Sequence, residues 1–449
     1  MYRSQEHTRP RLAPAPGEGM TRNRFLTVAA MWLAWVAIVM VFQEFVPARL
    51  KLQTPDYALT WTPNETRPRS QNDKPYLVEP FLNRHVSWDS EFYLSIATTG
   101  YDDPRVRAIA VSNGSARPVD PASATPPLGD SPEDRPLSLN YAFMPLYPLV
   151  TRVVAFPIQV LGLTPIAAVT LAGVLVSVLG ALAAMLALYD LVRDELGEAG
   201  GLRAAFYLIA FPTGFFLAQV YTEGLFVGLA FGCIALARRK QWLGAALLAV
   251  LATWTRAVGV ALVIPLAWAL WNELRAKEVS FRPLDRRLVL HATLVLLPVV
   301  AYLAWHYSFW GRAFAIVEGS YFSRGLFLLG QSVAVWGQSF GAMFGGSGNT
   351  QATAYYALEL FGILLGLAAT ALTIRRYPDI ALFGLVVLVV SLTSSVAQGM
   401  LRYVIAMPAV FIAMSRIGKN AVFDRSWTFG SVLAQGVVAT LFTFDMWAG

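Results

Sequence analysis

The sequence predicts an all-α polytopic membrane protein, and three observations carry that expectation. Hydrophobic residues make up 56% of the 449 and charged residues only 14%, against roughly 25% charged in soluble domains. Mean hydropathy is +0.51. Apolar runs near the ~20 residues that a helix needs to cross a bilayer recur along the chain. A single cysteine, Cys233, excludes a disulfide scaffold, and 13% aromatic content excludes a disordered chain. The formal net charge of +7 sits in short basic clusters between apolar runs, the pattern of cytoplasmic loops and not of a nucleic-acid-binding face.

Taken in order, residues 1–24 form a Pro- and Arg-rich tail, expected in the cytoplasm. Phe25–Phe45 follows as a signal-anchor helix, too long for a signal-peptide core and with no A-x-A site after it. Residues 46–164 read as a large extracytoplasmic loop. Within that loop Ser115–Pro136, rich in proline and charge, is expected to be flexible, and Ala142–Gly162, carrying Arg152 and three prolines, to lie along the outer face. Transmembrane helices then fill 165–309, over Pro165–Leu191, Ala204–Val220, Gly224–Ala237, Trp242–Trp254, Val258–Trp271 and Leu288–Phe309. A second extracytoplasmic loop covers 310–354, and C-terminal helices in 355–449 cover Tyr355–Leu372, Ile380–Val396, Tyr403–Met414 and Trp427–Trp447. With the anchor this gives eleven spans. Lysines and arginines set the orientation: 20 of the 35 fall in 1–24, 192–203, 238–241, 274–287, 374–379 and 416–425, all cytoplasmic if the N-terminus is inside.

Ionisable groups at membrane depth cost several kcal/mol unless paired or hydrated, so they locate a candidate site. Four features stand out. In the first loop, His85-Val-Ser-Trp88-Asp89-Ser90-Glu91-Phe92-Tyr93 reads as a short helix capped by Ser87, with Asp89 in its first turn and Phe92, Ile96 and Ala97 on one apolar face. Trp88 suits the headgroup level. Tyr221-Thr222-Glu223 falls at an outer turn, and Thr255-Arg256 and Arg402-Tyr403 each place a lone arginine beside an apolar run. Each has a plain structural alternative: an Asp complementing a helix dipole, a solvated turn acid, a snorkelling arginine. The expected topology nevertheless puts all four on the outer side. Arginine forks grip phosphate oxygens and a carboxylate accepts a proton from an attacking hydroxyl, which together suit chemistry on a lipid-linked phosphate. No phosphate-binding loop, nucleophile elbow or H-E-x-x-H metal pair is present, and His7, His85, His291 and His306 are scattered, so no metal site is expected.

At these residues the chain resembles the PIG-V-type membrane mannosyltransferases, which act in GPI-anchor assembly, and their bacterial relatives. The family's first-loop pattern is matched by Trp88-Asp89-Ser90, Phe92, Ile96-Ala97 and Gly100-Tyr101, and its aromatic-x-Pro-Leu-Tyr-Pro element by Phe143-Met144-Pro145-Leu146-Tyr147-Pro148. Later elements resemble Tyr221-Thr222-Glu223-Gly224-Leu225-Phe226, Thr255-Arg256 with Gly259, and Arg402-Tyr403 with Pro408, in family order between about residues 25 and 415. Where the family usually has a Gln-x-x-Trp-x-Arg-like stretch, this chain has Glu318-Gly-Ser-Tyr321-Phe-Ser-Arg324.

The resemblance implies a GT-C glycosyltransferase-like fold, beside the about eleven transmembrane helices and two large extracytoplasmic loops that the apolar runs and charges predict. It also implies a polyprenyl-phosphate sugar donor, with mannose the expected sugar, and a lipid or glycan acceptor outside the cytoplasm. The chain is expected in the cell membrane if bacterial and in the endoplasmic reticulum if eukaryotic, among membrane lipids and with no nucleic-acid partner. Asp89 is then the catalytic carboxylate, acting as general base in an inverting displacement. Arg256 and Arg402 bind the donor phosphate, and Trp88, His85, Tyr93, Glu223, Tyr221 and Tyr403 are candidate substrate contacts. No cofactor is implied, and a divalent cation stays open. Two alternatives stand beside this: a GT-C enzyme using another sugar or a protein acceptor, and a transporter or flippase for a lipid-linked sugar. No internal repeat of the transporter kind is visible.

Overall fold

The computed structural model describes residues 22–112, 115–119, 131–276, 285–345 and 349–449, so most of the basic tail and part of the 274–287 cluster lie outside the described residues. Five helices are long and apolar enough to cross a membrane: Arg22–Arg49, Pro165–Ile209, Ala257–Arg275, Arg286–His306 and Thr350–Thr373. Shorter apolar helices cover Leu146–Leu161, Trp242–Thr255, Pro378–Leu392 and Pro408–Ile417.

Two of the expected spans are broken. The Ala204–Val220 run is not one helix: the helix stops at Ile209 and a 3-10 turn follows over Gly214–Ala218. Pro212 explains the stop, since it lacks an N–H and biases the residue before it away from helix. Phe215, Phe216, Leu217 and Ala218 are at most 1% exposed, so this stretch is hydrophobic because protein surrounds it. The Tyr403–Met414 run likewise divides into helices Met400–Val404 and Pro408–Ile417, with Pro408 opening the second. Conversely, the basic stretch expected as a loop over 192–203 is helical, and Pro165–Ile209 runs through it with one break at Gly197 (φ 71°).

Among the described residues the strands form one small antiparallel sheet in the first loop, which departs from the all-α expectation. Strand Ala108–Ser112 pairs with Ser115–Val119 on one side and Leu137–Ser138 on the other. Residues 115–119, expected as flexible loop, are therefore tied by a backbone ladder, and residues 120–130 lie outside the described residues.

Backbone contact between Pro165–Ile209 and Thr222–Arg238 positions the site. A Cβ on Gly180 would meet the Gly224 carbonyl at 2.3 Å, and one on Gly224 would meet the Ser177 carbonyl at 2.2 Å. Without a hydrophobic drive between helices in lipid, such small-residue packing holds them together. The contact also fixes the height of Tyr221 and Glu223 at the end of the second helix. The helix Arg22–Arg49 is tied in by polar bonds: Trp32 Nε1 donates to the Val178 carbonyl at 2.7 Å, and Gln43 and Gln219 exchange amide hydrogen bonds at 2.9 and 3.2 Å.

Candidate active site

The first-loop motif folds as a turn followed by the helix Ser90–Thr98. Asp89 immediately precedes that helix, and Ser87, expected to cap it, turns its hydroxyl to Asp445 instead. Tyr221 fixes the motif from the opposite element. Its hydroxyl donates to the Ser87 carbonyl at 3.1 Å and accepts the Asp89 N–H at 3.2 Å, while Ser90 Oγ donates to the Val220 carbonyl at 3.1 Å.

Glu223, in the first turn of Thr222–Arg238, is the hinge of the charge cluster. Its Oε1 accepts from Arg256 Nη1 at 2.7 Å and lies 3.5 Å from Arg402 Nε. Arg402 then reaches across to Asp89, with Nη1 3.6 Å from Oδ2. Arg256 owes its position to a sharp reversal after Trp242–Thr255, where Gly259 packs so close that a Cβ would sit 2.5 Å from backbone atoms of Ala252 and Thr253. Tyr403 forms the floor: the Arg256 and Arg402 guanidiniums lie 5.0 and 5.4 Å from its ring centroid, and Arg324 Nη1 donates to its hydroxyl at 3.2 Å. Cation–π contact favours these buried guanidiniums where water is scarce.

Exposure ranks the groups. The Glu223 side chain is 2% exposed and Arg402 5%, whereas Arg256 is 21% and Asp89 32% exposed, so Asp89 is the carboxylate most open to an incoming molecule. Three arginines face Asp89, Glu223 and Glu318. Burial pushes the Glu318 carboxyl up to about 7, with Asp89 adding to the rise and Arg324 opposing it. The three guanidiniums gathered against Asp89, Glu223 and Glu318 suit an incoming anion. One Glu223 oxygen, Oε2, is buried without a partner, a free acceptor at the edge of this cluster.

The residues expected as substrate contacts do not all face this space. Tyr221, Glu223 and Tyr403 are in the cluster. Tyr93 is buried edge-on against Phe143, Tyr147 and Tyr221, with centroids at 5.1, 5.1 and 6.1 Å, and burial pushes its hydroxyl pKa well up. His85 is fully buried behind the motif beside Gln219, where burial pushes its pKa down to about 4, and its carbonyl accepts the Val220 N–H. Trp88 packs edge-on against Trp61 and Trp447 at 5.4 and 5.3 Å and donates its indole N–H to the Met446 carbonyl at 3.2 Å.

Sequence reasoning missed two residues that the fold brings to the site. Arg324 arrives from the second loop, from a stretch that departs from the family pattern, and donates to the Tyr403 hydroxyl. Glu359, from the middle of Thr350–Thr373, accepts the Gly399 and Met400 N–H groups at 3.0 and 2.5 Å and so caps the five-residue helix that carries Arg402. A signal existed: Glu359 is the sole charged residue between Arg324 and Arg375. Among the described residues no group of three or more His, Cys, Asp or Glu is arranged to hold a metal ion.

No protein-family model matches this chain, and no curated protein does. Among solved structures, it is similar to the oligosaccharyltransferase of Archaeoglobus fulgidus. The crystal structure of that enzyme with zinc and sulfate aligns with a TM-score of 0.42 at 13% identity, over 92% of this chain and 53% of that one. The form tethered to an acceptor peptide containing the NVT sequon gives 0.42 at 13% identity, over 92% and 55%. The archaeal oligosaccharyltransferase AglB with an inhibitory peptide and a dolichol-phosphate gives 0.40 at 13% identity, over 92% and 55%. The chain spans about half the length of these proteins.

Proposed function

We propose that this chain is an integral-membrane glycosyltransferase that moves mannose from a polyprenyl-phosphate donor to the hydroxyl of a lipid or glycan acceptor on the extracytoplasmic side, with inversion. The observation that carries the reading is the bridge made by Arg402, which faces buried Glu223 on one side and accessible Asp89 on the other. A phosphate entering this space meets arginines already held by Glu223 and Tyr403. An acceptor hydroxyl entering from water meets Asp89. The resemblance to PIG-V-type enzymes supplies the sugar and the donor class.

In the reaction, Asp89 takes the acceptor proton as the acceptor oxygen bonds to the anomeric carbon. The bond from that carbon to the phosphate oxygen breaks on the opposite face, and the phosphate leaves as an anion without needing a proton. Arg402 and Arg256 stabilise the charge that develops on it, help that costs no reorganisation because the guanidiniums are fixed beforehand. One carboxylate suffices, unlike the pair that glycosidases need to cleave with water.

The test is transfer by purified protein in lipid, supplied with polyprenyl-phosphate mannose or nucleotide mannose, to a panel of lipid and peptide acceptors. Transfer is expected from the lipid donor only. Asp89→Asn should lower it about 10²- to 10⁴-fold, the usual contribution of a general base. A half-open pair at 3.6 Å contributes little stability, so the variant should melt with the wild type. Asp89→Asn with near wild-type turnover would remove Asp89 from the reaction.

A further inference from the structure

Beyond the last long helix, Ala421–Thr443, the segment 444–447 turns back onto the first loop directly behind the Asp89 motif. Asp445 leads this contact. Its two carboxylate oxygens accept from Ser87 Oγ and from Gln71 Nε2. The next two residues extend the grip: the Met446 carbonyl takes the Trp88 indole N–H at 3.2 Å, and the Trp447 N–H donates to Asp56 Oδ2 at 2.7 Å. The rings of Trp61, Trp88 and Trp447 close edge-on around it, with centroids 5.0 to 5.4 Å apart.

Ser87 and Trp88 are therefore held from behind by this segment, while Tyr221 holds the Ser87 carbonyl and the Asp89 N–H from the front. The turn between these two holds is strained. Trp88 has φ +50°, in the left-handed region that bulky side chains rarely adopt. Such conformations persist only where the surroundings over-determine them, and here the over-determined residue immediately precedes the accessible carboxylate.

We propose that Asp445 is a positioning residue for Asp89: by fixing Ser87, and through it the Trp88 turn, it aims the Asp89 carboxylate at the acceptor beside Arg402. Asp445 itself bonds to Ser87 and Gln71 and touches no substrate. The inference rests on the proposed reaction for its catalytic consequence and on geometry alone for its structural one.

The experiment reads the two separately. Asp445→Leu keeps the volume and removes both acceptors, and kcat should fall about 10- to 100-fold, as small misplacements of a reacting group do. The donor KM should stay at the wild-type value, because the arginines are untouched. Asp445→Asn keeps an oxygen for Ser87 and should restore most of the turnover. Ser87→Ala should mimic Asp445→Leu, and it carries the same test if Asp445→Leu fails to fold. The inference is overturned if turnover is unchanged in both variants, or if donor KM rises in step with the fall in kcat. Independently of activity, Asp89→Cys can be alkylated against a background in which the single native thiol, Cys233, is fully buried. Adding Asp445→Leu should change that alkylation rate several-fold. An unchanged rate overturns the positioning role. If the wild type transfers no sugar from any donor while the alkylation rate still shifts, the proposed reaction fails and the clamp stands.

Discussion

Arg402 is the residue on which the site turns. It is 5% exposed, faces Glu223 and Asp89 at 3.5 and 3.6 Å, and lies 5.4 Å from the ring centroids of Phe216, Tyr221 and Tyr403. Its planar fork allows one guanidinium to serve two carboxylates and, in the proposed reaction, a phosphate, a geometry that a point-charge ammonium does not reproduce. Arg402→Lys is thus expected to keep the fold and the charge yet lower kcat about 10²- to 10³-fold, the usual cost of losing one preorganised donor. Steady-state kinetics with the lipid donor, alongside a melting curve, check it; equal turnover in the lysine variant would show that charge alone suffices. At this scale much of the site was legible. Asp89, Glu223, Arg256 and Arg402 stand out in the sequence because charges near lipid need a reason, and Tyr403 as the neighbour of Arg402. His85 and Trp88 were named by adjacency to Asp89, and adjacency does not decide which way a side chain faces.

The helix Met400–Val404 has five residues, too few to be stable by itself. What holds it is the Glu359 carboxylate, contributed by a different helix, on the Gly399 and Met400 N–H groups, with Gly399 at φ +78° making the entry turn. Capping of this kind typically contributes about 0.5–2 kcal/mol; without Glu359 the Gly399 N–H keeps the Tyr355 hydroxyl at 3.1 Å, whereas the Met400 N–H loses its acceptor, and a buried N–H left unpaired costs about 1–3 kcal/mol. Glu359→Leu should therefore lower both melting temperature and turnover, whereas Glu359→Gln, which keeps an acceptor, should melt close to the wild type. Equal melting temperatures for leucine, glutamine and wild type would remove the capping role. The elements show where local reading gives way. Long apolar helices such as Arg22–Arg49 and Arg286–His306 follow directly from composition, because their central residues are almost all apolar. The Ala204–Val220 run is just as apolar, yet Pro212 stops its helix and its aromatic side chains pack inside the protein.

At the scale of the whole molecule, the expected orientation rests on where the basic clusters fall. Away from the site, basic clusters meet acids contributed by other helices: Arg238 grips Asp379 through both oxygens at 3.0 and 3.1 Å, and Arg416 grips Glu195 at 3.0 and 2.9 Å. The ends expected outside carry the site instead. Thiol labelling in intact cells or sealed vesicles tests this orientation. Asn64→Cys in the first loop is expected to react with a membrane-impermeant reagent from outside, and Lys419→Cys only after permeabilisation. Reaction of Lys419→Cys from outside would invert the assignment.

By itself the sequence determined the solvent this protein lives in, the long helices and the charged residues that must be satisfied, because hydrophobicity and the cost of burying charge are properties of residues wherever they lie. Tertiary structure alone decided which of those residues meet. Residues 89, 223, 324 and 402 meet because helices distant in sequence place Glu223 and Asp89 on either side of Arg402 and Arg324 against Tyr403, with Gly180 and Gly224 letting two of those helices touch. Those are long-range coincidences of backbone direction, and no local pattern encodes them.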